Sequence, residues 1–123
     1  MKFLSMVRIK EDGPRMPSER VMQEMGKLMQ EMTKTGALVS TGGLAPTAQG
    51  KRMRSNFGKI SVQDGPFTET KEVVGGYAIL EAPSMEKAME ITRKFLEAHL
   101  DEWDVECEVR PFNGPEFGCR GSQ

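Results

Sequence analysis

An α+β fold, with two helices on one side of a mostly antiparallel sheet, is predicted by three features of this sequence. Apolar periods of two and of 3.6 follow one another in the order strand, helix, strand, short hairpin, strand, helix, strand. Each helical stretch has one apolar stripe and one charged face. The strands, in contrast, carry apolar residues on both faces.

The first strand is residues 3–9, FLSMVRI. Phe3, Val7 and Ile9 share one face with Ser5 between them, and Leu4, Met6 and Arg8 share the other. Residues 11–14, EDGP, end it as a turn. Ser18 is an N-cap, preceded by Pro17. Val21, Met22, Met25, Leu28, Met29 and Met32 then form a helical stripe, read as core filled by unbranched side chains. Lys27, Gln30 and Lys34 face away, and Gly36 is the expected C-cap. A second strand spans 37–46, where Gly42 and Gly43 permit a bulge or a close backbone approach. KRMRS and KISV flank Asn56, Phe57 and Gly58 as a small hairpin.

The next strand is 74–82, with Tyr77 and Ile79 pointing one way and Ala78 and Leu80 the other. Ser84 caps a second helix whose inner face is Met85, Ala88, Met89, Thr92, Phe95 and Leu96. Glu86, Glu90, Arg93, Lys94 and Glu97 are solvated, with Glu90 and Lys94 as an i,i+4 pair. In the last strand, 105–112, Val105, Cys107 and Val109 alternate with Glu106, Glu108 and Arg110. Pro111 marks its end or an edge position. Residues 1–112 form a single domain, and 113–123 are an irregular C-terminal tail.

Two βαβ halves around an antiparallel sheet are the ferredoxin-like arrangement, here with a small β-hairpin insert. Both helices pack on one sheet face, which leaves the apolar residues of the other face to be covered. A second copy of the chain is the expected cover, giving a homodimer built sheet against sheet; the alternative is a monomer with its tail folded across the sheet.

Composition limits the function. With 123 residues the chain is one domain, and 17 basic residues against 18 acidic ones offer no field for nucleic acid or an anionic membrane. Direct nucleic acid binding is not expected. No stretch approaches the roughly 18 apolar residues of a membrane span. MKFLSMVRIK lacks the long apolar run and small-residue cleavage site of a secretory signal, so a cytoplasmic location is expected. The cysteines are Cys107, read as a small hydrophobe on a strand face, and Cys119 in the tail.

The lone histidine, His99, continues the Phe95 stripe and reads as structural. With no metal-ligand spacing and no glycine-rich nucleotide motif, neither a metal nor a cofactor is expected. The densest local pattern is DGPFTETKE, from Asp64 to Glu72, followed by GGY. Asp64 can cap a turn, Gly65 can supply unusual dihedrals, and Pro66 fixes its own φ. The same stretch also has a functional reading. Lys71 lies between Glu69 and Glu72 and can hold a carboxylate ionised and positioned as a base. Asp64 and Glu72 are the candidate catalytic residues. Lys71, Tyr77, Arg52, Arg54 and Arg110 are candidates for holding a small anionic or cyclic ligand.

DGPFTETKE with GGY, ECEVRPF near the end, and the upstream GALVSTGGLAP and KRMR resemble the DGPF branch of the YCII-related proteins. The resemblance extends over roughly residues 1–112. It implies a dimeric α+β barrel of the ferredoxin-like kind. The wider superfamily includes cofactor-free monooxygenases and enzymes that process lactones or other small ring compounds. YCII proteins often show a histidine near the start of the first helix, paired with an aspartate and proposed as catalytic; residues 17–23 here contain no histidine. DGPF-type proteins also resemble partners encoded beside extracytoplasmic-function sigma factors. Two functions follow as expectations: an enzyme using acid/base chemistry on a small cyclic or anionic metabolite, or a non-catalytic ligand-sensing or interaction module linked to transcriptional regulation.

Overall fold

The computed structural model describes residues 1–10, 18–67, 72–98 and 104–113. Glu69, Lys71, His99 and Cys119 lie outside these residues, as do the turn at 11–14 and residues 114–123 of the tail. Six strands and two helices follow in the order β1 (Lys2–Ile9), α1 (Glu19–Thr35), β2 (Leu38–Gly43), β3 (Lys51–Asn56), β4 (Lys59–Asp64), β5 (Val73–Glu81), α2 (Met85–Ala98) and β6 (Glu106–Pro111). A single 3-10 turn, Thr47–Gln49, precedes β3. The main sheet has the order β2-β5-β1-β6, antiparallel at each pairing. This is the ferredoxin-like α+β arrangement. Strands β3 and β4 pair only with each other, as a separate two-stranded ribbon.

Local sequence explains the helix ends. The Ser18 hydroxyl accepts the Val21 amide at 3.1 Å, and Gly36 closes α1 at φ 82. That left-handed conformation is costly for a residue with a Cβ. Ser84 caps α2 by accepting the Lys87 amide. Both apolar stripes are narrower than the sequence predicts. Val21, Leu28 and Met32 are buried on α1, but Met22 is 60% exposed; on α2 Met89 is 54% exposed, while Ile91 turns inward. Glu90 meets Lys87 at 3.5 Å, three residues away, in place of Lys94.

Strand β2 stops at Gly43, short of the predicted 46, because Pro46 leads into the 3-10 turn. Its irregularity lies between Leu38 and Ser40, not at the glycine pair. A second irregularity, between Val7 and Arg8 of β1, pairs Val7 with Gly76 and Arg8 with Val74. Strand β6 is an edge strand, consistent with Pro111 at its end.

The register fixes which residues share a face. Ser5 pairs with Ala78 and Val109, and Val7 pairs with Cys107, all on the helix side. Leu4, Met6, Tyr77, Ile79, Glu108 and Arg110 occupy the outer side. The core fills one end of the helix side, where Phe3 and Leu80 are almost wholly buried with Ala82 and Ala88. Burying a side chain such as Phe3 contributes about 1.5–3 kcal/mol.

Candidate functional site

The other end of the helix side is not filled. Toward Ile9, β5 carries Gly75, Gly76 and Ala78 where the core end carries Leu80. The space between the sheet and the two helices opens into a cavity of about 370 Å³. Ser5, Val7 and Ile9 of β1, with Gly75 and Gly76 of β5, form its floor, and Met29, Met32, Ile91 and Phe95 form its roof. The two glycines answer to close packing. A Cβ on Gly75 would stand 2.6 Å from Ile9 Cδ1, and one on Gly76 would stand 3.1 Å from the Gly42 carbonyl oxygen.

The polar groups of this lining are hydroxyls. Ser5, which is buried, lies 3.5 Å from the Thr92 hydroxyl, and Thr92 donates to the Ala88 carbonyl at 3.0 Å. With its proton so used, the Thr92 oxygen is left to accept, and Ser5 is the donor of the pair. Thr41, at the exposed rim, donates to the Tyr77 carbonyl at 2.9 Å. Beside Ser5, burial pushes the Cys107 thiol up to about 11, so it stays neutral at ordinary pH. No Asp, Glu, Lys, Arg or His lines the cavity among the described residues.

The charged candidates lie elsewhere, on two separate surfaces. On the outer sheet face, Arg8 stands between Glu72 at 3.8 Å and Glu108 at 3.7 Å, and Arg110 reaches Glu108 at 4.0 Å. Three strands thus bring Glu72 and Arg110 into one chain of charges. Arg8 and Glu108 link them, although neither stands out in sequence; the only available signal is their place on the outer-facing alternation. Tyr77 is on the same face by register, and it also lines the cavity. Its ring covers Gly42, where a Cβ would stand 3.1 Å from Cε1, and its hydroxyl meets Ser40 at 3.3 Å.

Asp64, Arg52 and Arg54 belong to the ribbon. Asp64 pairs with Lys51 at 2.5 Å across the ribbon's base, and Arg52 lies 4.1 Å over the Phe67 ring. The structure therefore does not bring Asp64 together with Glu72 and Tyr77, close as they are in sequence. The corner itself is built by packing. Gly65 donates to the Gly50 carbonyl at 2.9 Å, the Phe67 amide donates to the Thr47 hydroxyl at 3.4 Å, and the Gly65-Pro66 peptide is cis.

No group of three or more His, Cys, Asp or Glu suited to a metal ion occurs among the described residues. No helix among them is long and apolar enough to cross a membrane.

A relative from Rhizobium meliloti (strain 1021), itself an uncharacterized protein, is 31% identical over 93 residues, which covers 76% of this chain and 73% of the relative. The family model of the YCII-related domain matches residues 1–113, nearly the whole chain: this chain belongs to the YCII-related family.

Proposed function

We propose that the protein binds a small, largely apolar cyclic molecule in the cleft between sheet and helices, and does so as a homodimer. The observation that carries this reading is the cavity of about 370 Å³ left open beside a filled core. Small-molecule pockets are typically apolar spaces of about 300–1,000 Å³ with a few placed polar groups. Here those groups are the hydroxyls of Ser5, Thr41 and Thr92; their protons are bonded within the protein, so their oxygens are left to accept, which suits the O–H of a phenol better than a bare carboxylate. For an anionic ligand, charge would be supplied from outside the apolar lining, with Lys71, next to Glu72 in sequence, the candidate.

The catalytic form of the proposal would use Glu72 as base, and it is disfavoured because the Glu72 carboxylate pairs with Arg8 on the outer sheet face and does not line the cavity. Asp64, held by Lys51 on the ribbon, is the weaker candidate. The non-catalytic form, a ligand-sensing module linked to transcriptional regulation, is favoured by the lack of acids and bases in the described lining. The homodimer is supported by the outer sheet face, where Leu4, Met6 and Ile79 are half-buried apolar residues on the side of the sheet away from the helices.

Amide chemical shifts measured with phenol, salicylate and γ-butyrolactone test the site. Shifts at Ser5, Gly76 and Thr92 are expected for the neutral rings and should disappear in Thr41→Trp, which plugs the rim. Shifts confined to the outer face, or binding unchanged in Thr41→Trp, would refute the assignment. Turnover lost in a folded, ligand-binding Glu72→Gln variant would separate enzyme from sensor.

A further inference from the structure

Where the cleft meets the core, two polar side chains are almost out of reach of bulk water. Ser5 and Thr92 are 6% and 7% exposed, and both line the cavity. Around them the lining is apolar, with Val7 and Ala78 from the sheet and Met32 and Ile91 from the helices. In such a setting every proton and lone pair matters. A hydroxyl has one proton and two lone pairs. The Thr92 proton goes to the Ala88 carbonyl at 3.0 Å, and the Ser5 proton goes to the Thr92 oxygen at 3.5 Å. One lone pair of Thr92 and both of Ser5 remain, while no proton remains. Cys107, which pairs with Val7 across β1 and β6, lies beside Ser5. Its thiol is a weak donor and can satisfy one of these lone pairs. The others have no donor among the described residues. A buried acceptor left without a donor is costly, and a ligand that brings a donor relieves it.

Charge does not compete with this pattern. The titratable groups that face the space are Tyr77 of β5, whose hydroxyl meets Ser40 at 3.3 Å, and Cys107 of β6, which burial keeps neutral at ordinary pH. Strand β2 and the two helices add none to the described lining, and Arg8, Glu106 and Glu108 lie on the outer face by register. An anionic oxygen placed against Ser5 would meet lone pairs and no cation.

We propose that Ser5, held by Thr92, is the specificity-determining residue of the cleft: it accepts a hydrogen bond from a ring hydroxyl and so selects phenols and enols in their neutral form. The ring lies against Met29, Met32 and Phe95. A phenolate, a carboxylate or an ether of the same ring brings only lone pairs to this place and binds more weakly. A phenol that is ionised in solution therefore takes up one proton from the solvent as it binds. The inference rests on the cleft reading above and adds to it a choice of ionisation state.

The probes are 4-nitrophenol, whose anion is yellow while its neutral form is not, and 4-nitroanisole, its O-methyl ether. At a pH where the phenol is neutral, the wild type is expected to prefer it to the ether at least about tenfold. Above the phenol's own ionisation pH, its affinity should fall about tenfold per pH unit while that of the ether stays level. The yellow band should fade as protein is added, in step with proton uptake. Ser5→Ala removes the acceptor, and Thr92→Val frees the Ser5 proton to donate. Both should bring the phenol-to-ether ratio near one, and Thr92→Val should hold the phenolate with its colour kept. The wild-type titrations decide the matter if a variant fails to fold. Wild type that binds the yellow anion, or binds phenol and ether equally, would overturn the selection while leaving the cleft reading in place. Absence of binding by either probe at every pH, or binding undiminished in Thr41→Trp, would overturn both.

Discussion

A methyl group on Gly65 would stand 1.6 Å from the Thr47 carbonyl oxygen. The sequence points to a glycine at this corner but suggests unusual dihedrals as the reason; Gly65 is not among the positive-φ glycines, and close approach of two backbones is the cause. Gly65→Ala should therefore lower stability by about 1–3 kcal/mol, as overpacking does. Lys51→Ala removes an exposed ion pair and should change stability by about 0–1 kcal/mol. Urea melts with matched slopes compare the two, and equal midpoints would contradict the packing account. Cys107 gives a second residue-scale test. Its folded value of about 11 lies above the ordinary value of 9.0, so burial favours the neutral thiol. That contribution is complete below about pH 9 and is lost as pH rises toward 11. Cys107→Ala should accordingly lose less stability than wild type across that interval. In a Cys119→Ser background, the thiol should also react with a disulfide reagent at pH 8 at least about tenfold more slowly than free cysteine.

The helix ends were the most legible elements, because each is written in a single residue. Ser18 and Gly36 bound α1 where the sequence places them. Ser18→Ala should cost about 1 kcal/mol and Gly36→Ala a similar amount, measured by thermal or urea unfolding. A cost near zero at Ser18 would mean that the Val21 amide finds water instead. The helix faces were less legible. Met22 and Met89 fit an apolar stripe by spacing, yet a helix resting on a flat sheet buries a narrower strip than one surrounded by other helices. Strand irregularities were hidden for a related reason. The shift between Val7 and Arg8 depends on which strand lies alongside, and the β1–β5 pairing joins residues about 70 positions apart.

At the scale of the molecule, the order of periods was enough to give the ferredoxin-like topology, but proximity in sequence was a poor guide to the site. Asp64 and Glu72 are separated by few residues, yet one ends the ribbon and the other leads into the main sheet. The cavity, conversely, draws its lining from β1, β2, β5 and both helices, and much of it is Gly, Ala, Ser and Thr, which carry no chemical signature. Its occupancy can be read through global stability. A neutral ring compound held at one hundred times its Kd should raise the unfolding free energy by about 2.7 kcal/mol. The melting temperature should rise with ligand concentration in wild type and stay level in Thr41→Trp. A rise of equal size in both proteins would move the binding site away from the cleft.

The main sheet is a partition one residue thick. Along β1, Ser5 and Val7 look into the cavity, while Met6 and Arg8 look out onto the opposite face. Cavity lining and outer surface are therefore encoded on alternating letters of the same short word. A library that randomises only positions 5, 7 and 9 would explore new ligands with the outer surface held constant, and one that randomises 4, 6 and 8 would explore new quaternary states around an unchanged cleft. Insertion of a single residue before Ser5 would exchange the two alphabets at once. Strand length in this segment is thus under stricter constraint than the identity of any one side chain.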